Sequence, residues 1–262
     1  MNIQTLNKKL TIIAGPCSVD PENISDIFGI AEIKVVNRFG RKQKAIFGTR
    51  VVGLKSRTSL NKDGKNMGID FPVFRSNINM LLEGKSINAL KVLPSVRIAK
   101  NVIKETGMLV AAEIMDPMSQ LPIFERMLPK KKVLIWNPSV NQLGWPILNM
   151  GIFAKKNQWF LGLKNPKWFG DESLGQTTME KTWIGLSHYT GMNEPGLEEK
   201  LILIHRGVDI YNKGDYRNLP VHQAAKRTKI ATKAKLFFDP SHIYGPKLRD
   251  SIVKATVEAM EM

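Results

Sequence analysis

The chain has 262 residues, of which 43% are hydrophobic and 24% are charged, and it contains 20 glycines and 14 prolines. These proportions are typical of a globular protein with a sizeable core, and they exclude a disordered chain, a collagen and a coiled coil. The 39 basic and 23 acidic residues give a formal net charge of +16, which favours anionic partners such as nucleic acid, an acidic membrane or phosphorylated metabolites.

Cys17 is the single cysteine of the chain, so no intrachain disulfide can form and we expect a reducing, cytoplasmic compartment. The apolar run at residues 10–14 is too short for the core of a secretory leader, and Pro16 directly precedes the cysteine. No stretch approaches the roughly 18 consecutive apolar residues of a membrane span. We therefore expect a protein without a leader and without a membrane partner.

Short apolar, β-branched runs alternate along the chain with longer segments of helical periodicity. In chain order, the predicted strands are residues 10–14, 45–53, 108–113, 132–136, 159–164, 201–205 and 234–239. The predicted helices are residues 24–37, 96–106, 119–128, 141–153 and 246–262, and the predicted long loops are residues 55–72 and 165–199. Strands that alternate with helices indicate βα units and a parallel sheet. Since one α/β barrel needs roughly 250 residues, we expect a single domain over residues 1–262.

Reactive or charged side chains stand at or just after the carboxyl ends of most of the predicted strands. In a parallel α/β barrel, this is the face on which active sites are built. Strand ends also meet solvent and are often polar for that reason alone, so the pattern favours an active site without deciding it. The residues are Cys17, Arg50, Lys55, Glu113, Lys164, Arg206 and His242.

The segment of residues 50–59 carries three cations, Arg50, Lys55 and Arg57, together with several hydroxyl side chains. Guanidinium groups bind phosphate and carboxylate oxygens in bidentate fashion, and lysine adds a point charge. Such a segment has enough donors to hold two anionic groups at once. A solvated basic loop is the other interpretation, since basic clusters are common on protein surfaces.

Cys17 and His242 lie far apart in the sequence, but each follows a predicted strand, so a barrel would place them at the same end. Thiolate and imidazole are good ligands for a transition metal such as Zn or Fe. A lone cysteine is more often a small buried hydrophobe. Lys164 and Arg206 each follow a strongly apolar strand and would bring two cations to that end, the alternative being ordinary exposed side chains.

Two further basic stretches, residues 130–132 and 224–235, suggest nucleic-acid binding as a third hypothesis. No recognisable DNA- or RNA-binding motif accompanies them, and a solvated face explains the charge better. We therefore do not expect nucleic acid as the partner. Affinity for nucleic acid that falls steeply with salt would be the signature of such binding.

Six short motifs follow one another in a characteristic order. They stand at residues 13–18 (Ile-Ala-Gly-Pro-Cys-Ser), 50 with 55–59 (Arg, then Lys-Ser-Arg-Thr-Ser), 112–116 (Ala-Glu-Ile-Met-Asp), 162–165 (Gly-Leu-Lys-Asn), 206–207 (Arg-Gly) and 239–242 (Asp-Pro-Ser-His). Together they resemble the class I 3-deoxy-arabino-heptulosonate-7-phosphate (DAHP) synthases over almost the whole chain. The related 3-deoxy-manno-octulosonate-8-phosphate synthases usually have an Asn-Arg-Ser-Ser loop in place of Lys-Ser-Arg-Thr-Ser, which favours the heptulosonate branch.

The resemblance implies a TIM (β/α)8-type barrel that condenses phosphoenolpyruvate (PEP) with erythrose 4-phosphate, the first step of the shikimate pathway to aromatic amino acids. It also implies a divalent metal (Mn, Fe or Zn), and we expect a homo-oligomer. Cys17 and His242 are the implied metal ligands, and Lys55 is the expected catalytic residue. The implied substrate-binding residues are Arg50, Lys55, Lys164 and Arg206 for PEP, and Arg57 and Thr58 for the aldose phosphate.

Two departures from the family pattern concern the same site. Residues 136–138 read Trp-Asn-Pro, where the family usually has Gly-Ala-Arg with an arginine that contacts PEP. No eighth strand is expected after the predicted helix 246–262, so the family's Glu and Asp metal ligands are missing from this chain. These departures favour an alternative hypothesis, an inactive or divergent relative that binds phosphorylated ligands or acts as a regulatory partner.

Overall fold

The computed structural model describes residues 11–36, 40–55, 67–173 and 176–260. The chain forms two compact units. The first unit consists of Met1–Ile135 and Asn157–Trp159, and the second consists of Trp136–Lys156 and Phe160–Met262. The expectation that residues 1–262 form a single domain stays a prediction.

The first unit combines parallel strands with helices and a small antiparallel hairpin. Its parallel strands follow the order β1-β4-β5-β6, and the hairpin pairs β2 with β3. In chain order, the elements are β1 (Ile12–Ala14), α1 (Ile24–Ala31), β2 (Lys34–Val36), β3 (Lys42–Lys44), β4 (Ile46–Arg50), α2 (Phe71–Leu82), α3 (Pro94–Thr106), β5 (Leu109–Glu113), α4 (Pro117–Met127) and β6 (Val133–Trp136).

The second unit has the same alternation of strand and helix. Its parallel strands follow the order β7-β10-β11, and a second small hairpin pairs β8 with β9. The elements are α5 (Gly144–Asn157), β7 (Phe160–Lys164), β8 (Glu172–Ser173), β9 (Gln176–Thr177), α6 (Thr178–Tyr189), β10 (Leu201–His205), α7 (His222–Thr232), β11 (Lys235–Phe238), α8 (Pro240–Tyr244) and α9 (Ile252–Met260).

The strands β5, β7 and β10 are buried along their whole length. Their sequences are accordingly almost continuous apolar runs, as expected for parallel strands that are covered on both faces. Each run ends on an ionisable side chain, which is Glu113 in β5, Lys164 in β7 and His205 in β10. The fold therefore places ionisable groups in buried surroundings at the carboxyl ends of these strands.

The seven predicted strands are confirmed, with ends that differ from the expected ones by at most three residues. The fold class is confirmed as well, since the chain has an α/β fold of the TIM-barrel type with seven parallel strands. Residues 11–36, 40–55, 67–173 and 176–260 contain no eighth strand of this sheet. Within the same ranges, no helix is long and apolar enough to cross a membrane.

Two predictions of local structure in the first unit need correction. The predicted helix 24–37 is wrong in its second half, because α1 ends at Ala31 and Lys34–Val36 forms β2. Two consecutive valines there favour extended backbone, and the strand pairs with β3. Residues 56–66 of the predicted loop 55–72 lie outside the described residues. The loop ends earlier than predicted, because α2 begins at Phe71.

The second unit contradicts two further predictions. The predicted loop 165–199 contains β8, β9 and the twelve-residue helix α6. This helix begins at a capping box, in which Thr177 and Glu180 satisfy each other's backbone N–H groups. The predicted helix 246–262 begins too early, since α9 starts only at Ile252.

Candidate functional site

In the first unit, the loop after β1 lies against the end of β4. The Nη2 atom of Arg50 donates a hydrogen bond to the carbonyl oxygen of Cys17 at 3.1 Å. Gly15 permits this approach, because its φ of +140° lies in the region that favours glycine and a Cβ there would stand 2.9 Å from the Arg50 nitrogen. The Cys17 side chain is exposed. A half-exposed guanidinium and an exposed thiol thus share one edge of this unit.

Lys55 lies five residues beyond β4 and forms a weak ion pair. Its Nζ atom lies 3.7 Å from Oδ2 of Asp20, and the two side chains are 26% and 37% exposed. Ion pairs as exposed as this one contribute at most about 1 kcal/mol. The ion pair with Asp20 therefore contributes little that an anionic ligand would have to replace. Arg57 and Thr58, the expected aldose-phosphate ligands, lie outside the described residues.

In the second unit, Lys164 ends β7 and is buried, with an exposed fraction of 5%. Its Nζ atom lies 5.4 Å from the centre of the Trp136 ring, which is within the distance of a cation–π interaction. Its backbone nitrogen donates to Oδ1 of Asn137 at 3.0 Å, and the Asn137 amide donates in turn to the Asn141 carbonyl at 3.1 Å. The last residue of β6 therefore contacts the ammonium group of Lys164, and the residue after it holds the Lys164 backbone.

Arg206 follows β10 directly and is also buried, with an exposed fraction of 8%. Its Nη1 atom donates to Oγ of Ser139 at 2.9 Å. Its backbone nitrogen donates to Oδ1 of Asn165 at 2.8 Å, and its carbonyl accepts from the Asn218 amide at 2.8 Å. Main chain and guanidinium are thus both fixed, and the hydroxyl of Ser139 orients the guanidinium without neutralising its charge.

Asn165 joins the ends of β7 and β10. It is fully buried, and its backbone nitrogen donates to the Ile204 carbonyl at 3.1 Å. Its Nδ2 atom donates to the carbonyl of Gly207 at 2.9 Å. Gly207 has a φ of +74°, and a Cβ there would stand 2.7 Å from the Leu219 carbonyl oxygen, so only glycine fits the sharp turn after Arg206.

His242 lies in the short helix α8 and is buried. Asp239 caps this helix through its Oδ1 atom, which accepts from the His242 backbone nitrogen at 3.3 Å, while its Oδ2 atom lies 2.8 Å from Nδ1 of the imidazole. Burial lowers the pKa of His242 below its ordinary value, and the nearby charges of Arg206 and Arg217 add to this effect against the opposing influence of Asp239. The neutral imidazole is therefore favoured.

His205, the last residue of β10, contacts the imidazole ring of His222. Its Nε2 atom lies 3.1 Å from Nδ1 of His222, and the Gly207 backbone nitrogen donates to its Nδ1 atom at 3.3 Å. Burial lowers the pKa of His205 to about 3, and the charge of His222 contributes in the same direction, whereas Asp239 opposes it. His205 is therefore neutral at physiological pH and supports the strand end beside Arg206.

The implied metal centre requires several donor side chains at one place. His242 offers an imidazole whose Nδ1 atom already faces Asp239, and Cys17 offers an exposed thiol in the other unit. Nowhere in residues 11–36, 40–55, 67–173 and 176–260 do three or more His, Cys, Asp and Glu side chains form a group that could hold a metal ion. The described residues therefore do not fit a complete metal centre, and joint ligation by Cys17 and His242 stays a prediction.

Sequence reasoning located the two buried cations of the second unit but missed the residues that hold them. Trp136, Asn137 and Ser139 supply these contacts, and they come from a segment for which the sequence predicted no binding residue. Asn165 directly follows Lys164 in the sequence, and that adjacency was its only signal. The contact between Arg206 and Ser139 spans 67 positions of the chain, so no local pattern reveals it.

The structure resembles the crystal structure of phospho-2-dehydro-3-deoxyheptonate aldolase (DAHP synthase) from Thermotoga maritima. The TM-score is 0.64 at 18% sequence identity. The fold is DAHP synthase-like. The likeness covers 96% of this chain but only 56% of that DAHP synthase. No protein-family model matches the sequence, and no curated protein matches it either.

Proposed function

We propose that the protein is a DAHP synthase-like transferase that condenses PEP with an aldose phosphate, erythrose 4-phosphate being the first candidate. The observation that supports this most strongly is the pair of buried cations, Lys164 and Arg206, at the ends of the paired strands β7 and β10. PEP carries a carboxylate and a phosphate on a small carbon skeleton. Two adjacent cations match these two groups in number and in sign.

The surroundings of the two cations suit anion binding. A guanidinium presents a planar fork that pairs with carboxylate or phosphate oxygens, whereas an ammonium acts as a point charge. Burial strengthens the attraction between these charges and a ligand, because the effective dielectric constant is lower than in water. Contacts with Ser139 and Trp136 hold the cations in place before a ligand arrives, which reduces the entropy lost on binding.

The assignment of the remaining substrate contacts rests on the resemblance to the DAHP synthases. We assign Arg50 and Lys55 to PEP and keep Lys55 as the catalytic residue of the proposed reaction. Arg57 and Thr58 are assigned to the phosphate of the aldose. The Lys55–Asp20 ion pair supports this assignment, since the Lys55 side chain is partly exposed and its ammonium group already lies near a carboxylate.

In the proposed reaction, C3 of PEP forms a bond to the aldehyde carbon of the aldose phosphate, and the aldehyde oxygen takes up a proton. A water molecule adds to C2, and loss of inorganic phosphate from C2 leaves a ketone there. Each condensation consumes one water and releases one phosphate, with no oxidant or reductant. The cationic side chains offset the mutual repulsion of two phosphorylated anions.

A second candidate function is that of a DAHP synthase-like protein that binds phosphorylated ligands without turnover. Two observations favour it. The family's arginine after the fourth strand of the barrel is replaced by Pro138, and the described ranges of the chain, from residue 11 to residue 260 with their gaps, contain no group of three metal-ligating side chains. Such a protein would keep the anion site and lack the chemistry.

The two candidates are distinguished by an assay of PEP consumption with erythrose 4-phosphate, in buffer alone, with EDTA, and with added Mn, Fe or Zn. The transferase predicts loss of PEP matched one to one by release of phosphate, abolished in Lys164→Ala and retained in Lys226→Ala, an exposed lysine of the same unit. Absence of turnover with every metal, together with PEP binding that Lys164→Ala weakens, would instead establish the second candidate. Absence of both turnover and PEP binding would overturn both.

A further inference from the structure

One side of the second unit exposes a set of large apolar side chains. They come from α5 and from the loop that precedes it, and their exposed fractions lie between 43% and 61%. Leu148 and Ile152 follow Trp145 by three and seven positions, so these three lie along one side of the helix. We call this set the α5 face, and it consists of Val140, Leu143, Trp145, Leu148 and Ile152.

The opposite side of α5 is packed into the second unit. Ile147, Met150 and Ala154 are completely buried. At Gly151, a Cβ would stand 2.0 Å from the carbonyl oxygen of Thr190, so the helix packs closely against the end of α6. The helix is therefore firmly held, and it is apolar on both sides. A helix that is apolar all round is typical of one that is buried on all sides.

The α5 face also stands out by its lack of charge. No charged residue occurs between positions 133 and 154, although 24% of the chain is charged and its net charge is +16. The first charge after this segment, Lys155, lies 2.7 Å from a carboxylate oxygen of Glu194. Two copies of so basic a chain repel each other over most of their surfaces, and they do so least where both surfaces are uncharged.

We propose that the α5 face is the centre of a self-association surface and that its occupant is the same face of a second copy of this chain. An acidic partner would bind to a surface that carries cations, and the α5 face has none. A two-fold axis lets one apolar patch serve both copies. This inference is independent of the proposed activity, because none of the five residues belongs to the candidate site.

The α5 face is too small to form a stable interface alone, so neighbouring residues must also be buried in it. A stable interface of standard size buries about 800 Å² on each partner, which exceeds what five partly exposed side chains supply. Tyr189 of α6, which is 57% exposed and contacts Gly144 at the start of α5, extends the apolar surface. The polar residues of the same segment, Asn141 and Asn149, carry no charge, which is compatible with an uncharged rim.

Sedimentation velocity over a range of protein concentrations tests the proposal. We expect an oligomer in the wild type and a mass reduced by half or more in the double variant Leu148→Lys with Ile152→Lys, with dimer affinity at least about 30-fold weaker. Ile230→Lys is the matched control, because Ile230 is 69% exposed on the basic helix α7; it should retain the wild-type mass. Circular dichroism and thermal melting verify that each variant is folded.

A cross-linking experiment tests the geometry directly. It is simple to design because only one native cysteine has to be replaced. In a Cys17→Ser background, Leu148→Cys should give disulfide-linked dimers on mild oxidation, whereas Ile230→Cys should not. A wild type that stays monomeric at about 100 µM, well above typical dimer dissociation constants, would overturn the proposal. Equal loss of mass in Ile230→Lys, or an unchanged mass in the double variant, would overturn it as well.

Discussion

The ends of the parallel strands carry cations in both units, but the two units hold them in different surroundings. In the first unit, Lys55 is partly exposed and lies 3.7 Å from the carboxylate of Asp20. In the second unit, Lys164 and Arg206 are buried and contact an indole ring and a serine hydroxyl. An exposed pair is weak and easily exchanged, whereas a buried charge is held in one place and interacts strongly with whatever anion approaches it.

This difference makes the cations of the second unit the better preorganised of the two sets. Its cations are fixed by residues from several elements, and their main chain is fixed by Asn165 and Asn218. In the first unit, the ion pair between Lys55 and Asp20 is exposed and correspondingly weak. The predictions that follow test whether burial, and not merely the presence of charge, separates the two units.

The largest expected effect concerns charge pairs that serve stability. In the second unit, the fully buried Glu180 accepts hydrogen bonds from Nε and Nη2 of Arg227 at 2.7 and 2.8 Å. Glu180→Gln should lower the free energy of unfolding by about 2 kcal/mol, because the buried carboxylate loses its charge-assisted hydrogen bonds from Arg227, whose side chain is 43% exposed. Asp20→Asn in the first unit should lower it by less than about 1 kcal/mol. Urea unfolding of both variants measures the difference, and equal losses would contradict the contrast in burial.

A second prediction concerns the pH dependence of stability. The pKa of His205 is about 3 in the folded protein, against an ordinary value of 6.5 in the unfolded chain, mainly because the residue is buried. Between these values the unfolded chain binds a proton that the folded chain does not. The stabilisation by neutral His205 is therefore complete above pH 6.5 and is lost as the pH falls, by about 1.4 kcal/mol per pH unit.

Replacing the imidazole tests this assignment. His205→Phe should flatten the decline of the unfolding free energy between pH 6.5 and 4.5. His205→Gln removes the imidazole without introducing the larger phenyl ring and should flatten the decline as well. His188→Gln, at an exposed histidine of α6, is the control and should leave the decline unchanged. An identical decline in the wild type and both His205 variants would show that another group is responsible.

The smallest expected effect concerns Ser139, which orients the guanidinium of Arg206. Ser139→Ala should weaken PEP binding about fivefold, since one hydrogen bond contributes about 1 kcal/mol, with little change in the melting temperature. Ser251→Ala, at an exposed serine, should leave PEP binding unchanged. Unaltered PEP affinity in Ser139→Ala would show that the orientation of Arg206 does not depend on this hydroxyl.

The sequence was sufficient for the parallel strands because β5, β7 and β10 are short, continuous apolar runs, and such runs have few other structures open to them. It also located Lys164 and Arg206, since the end of a strand can be read from the end of its apolar run. The helix α6 was missed although Thr177 and Glu180 have the spacing of a capping box. Here a local signal was present and was outweighed by the polar composition around it.

Other features had a weak local signal or none. The consecutive valines of residues 34–36 favour extended backbone, but the strand is fixed by its pairing with β3. Ser139 and Arg206, which are 67 positions apart in the sequence, meet only through the tertiary structure of the second unit. The contacts of residues 136–139 with Lys164 and Arg206 therefore emerge from tertiary structure, and no local sequence pattern reveals them.

The central claim is that the buried cations of the second unit bind a phosphorylated anion. Calorimetric titration with PEP tests it most directly, with the variants Arg206→Ala and Lys55→Ala and the control Arg249→Ala at an exposed arginine. We expect affinity to fall at least about 100-fold in Arg206→Ala, by less than about tenfold in Lys55→Ala, and not at all in the control. Undiminished PEP affinity in Arg206→Ala, or a larger loss in Lys55→Ala, would contradict the claim.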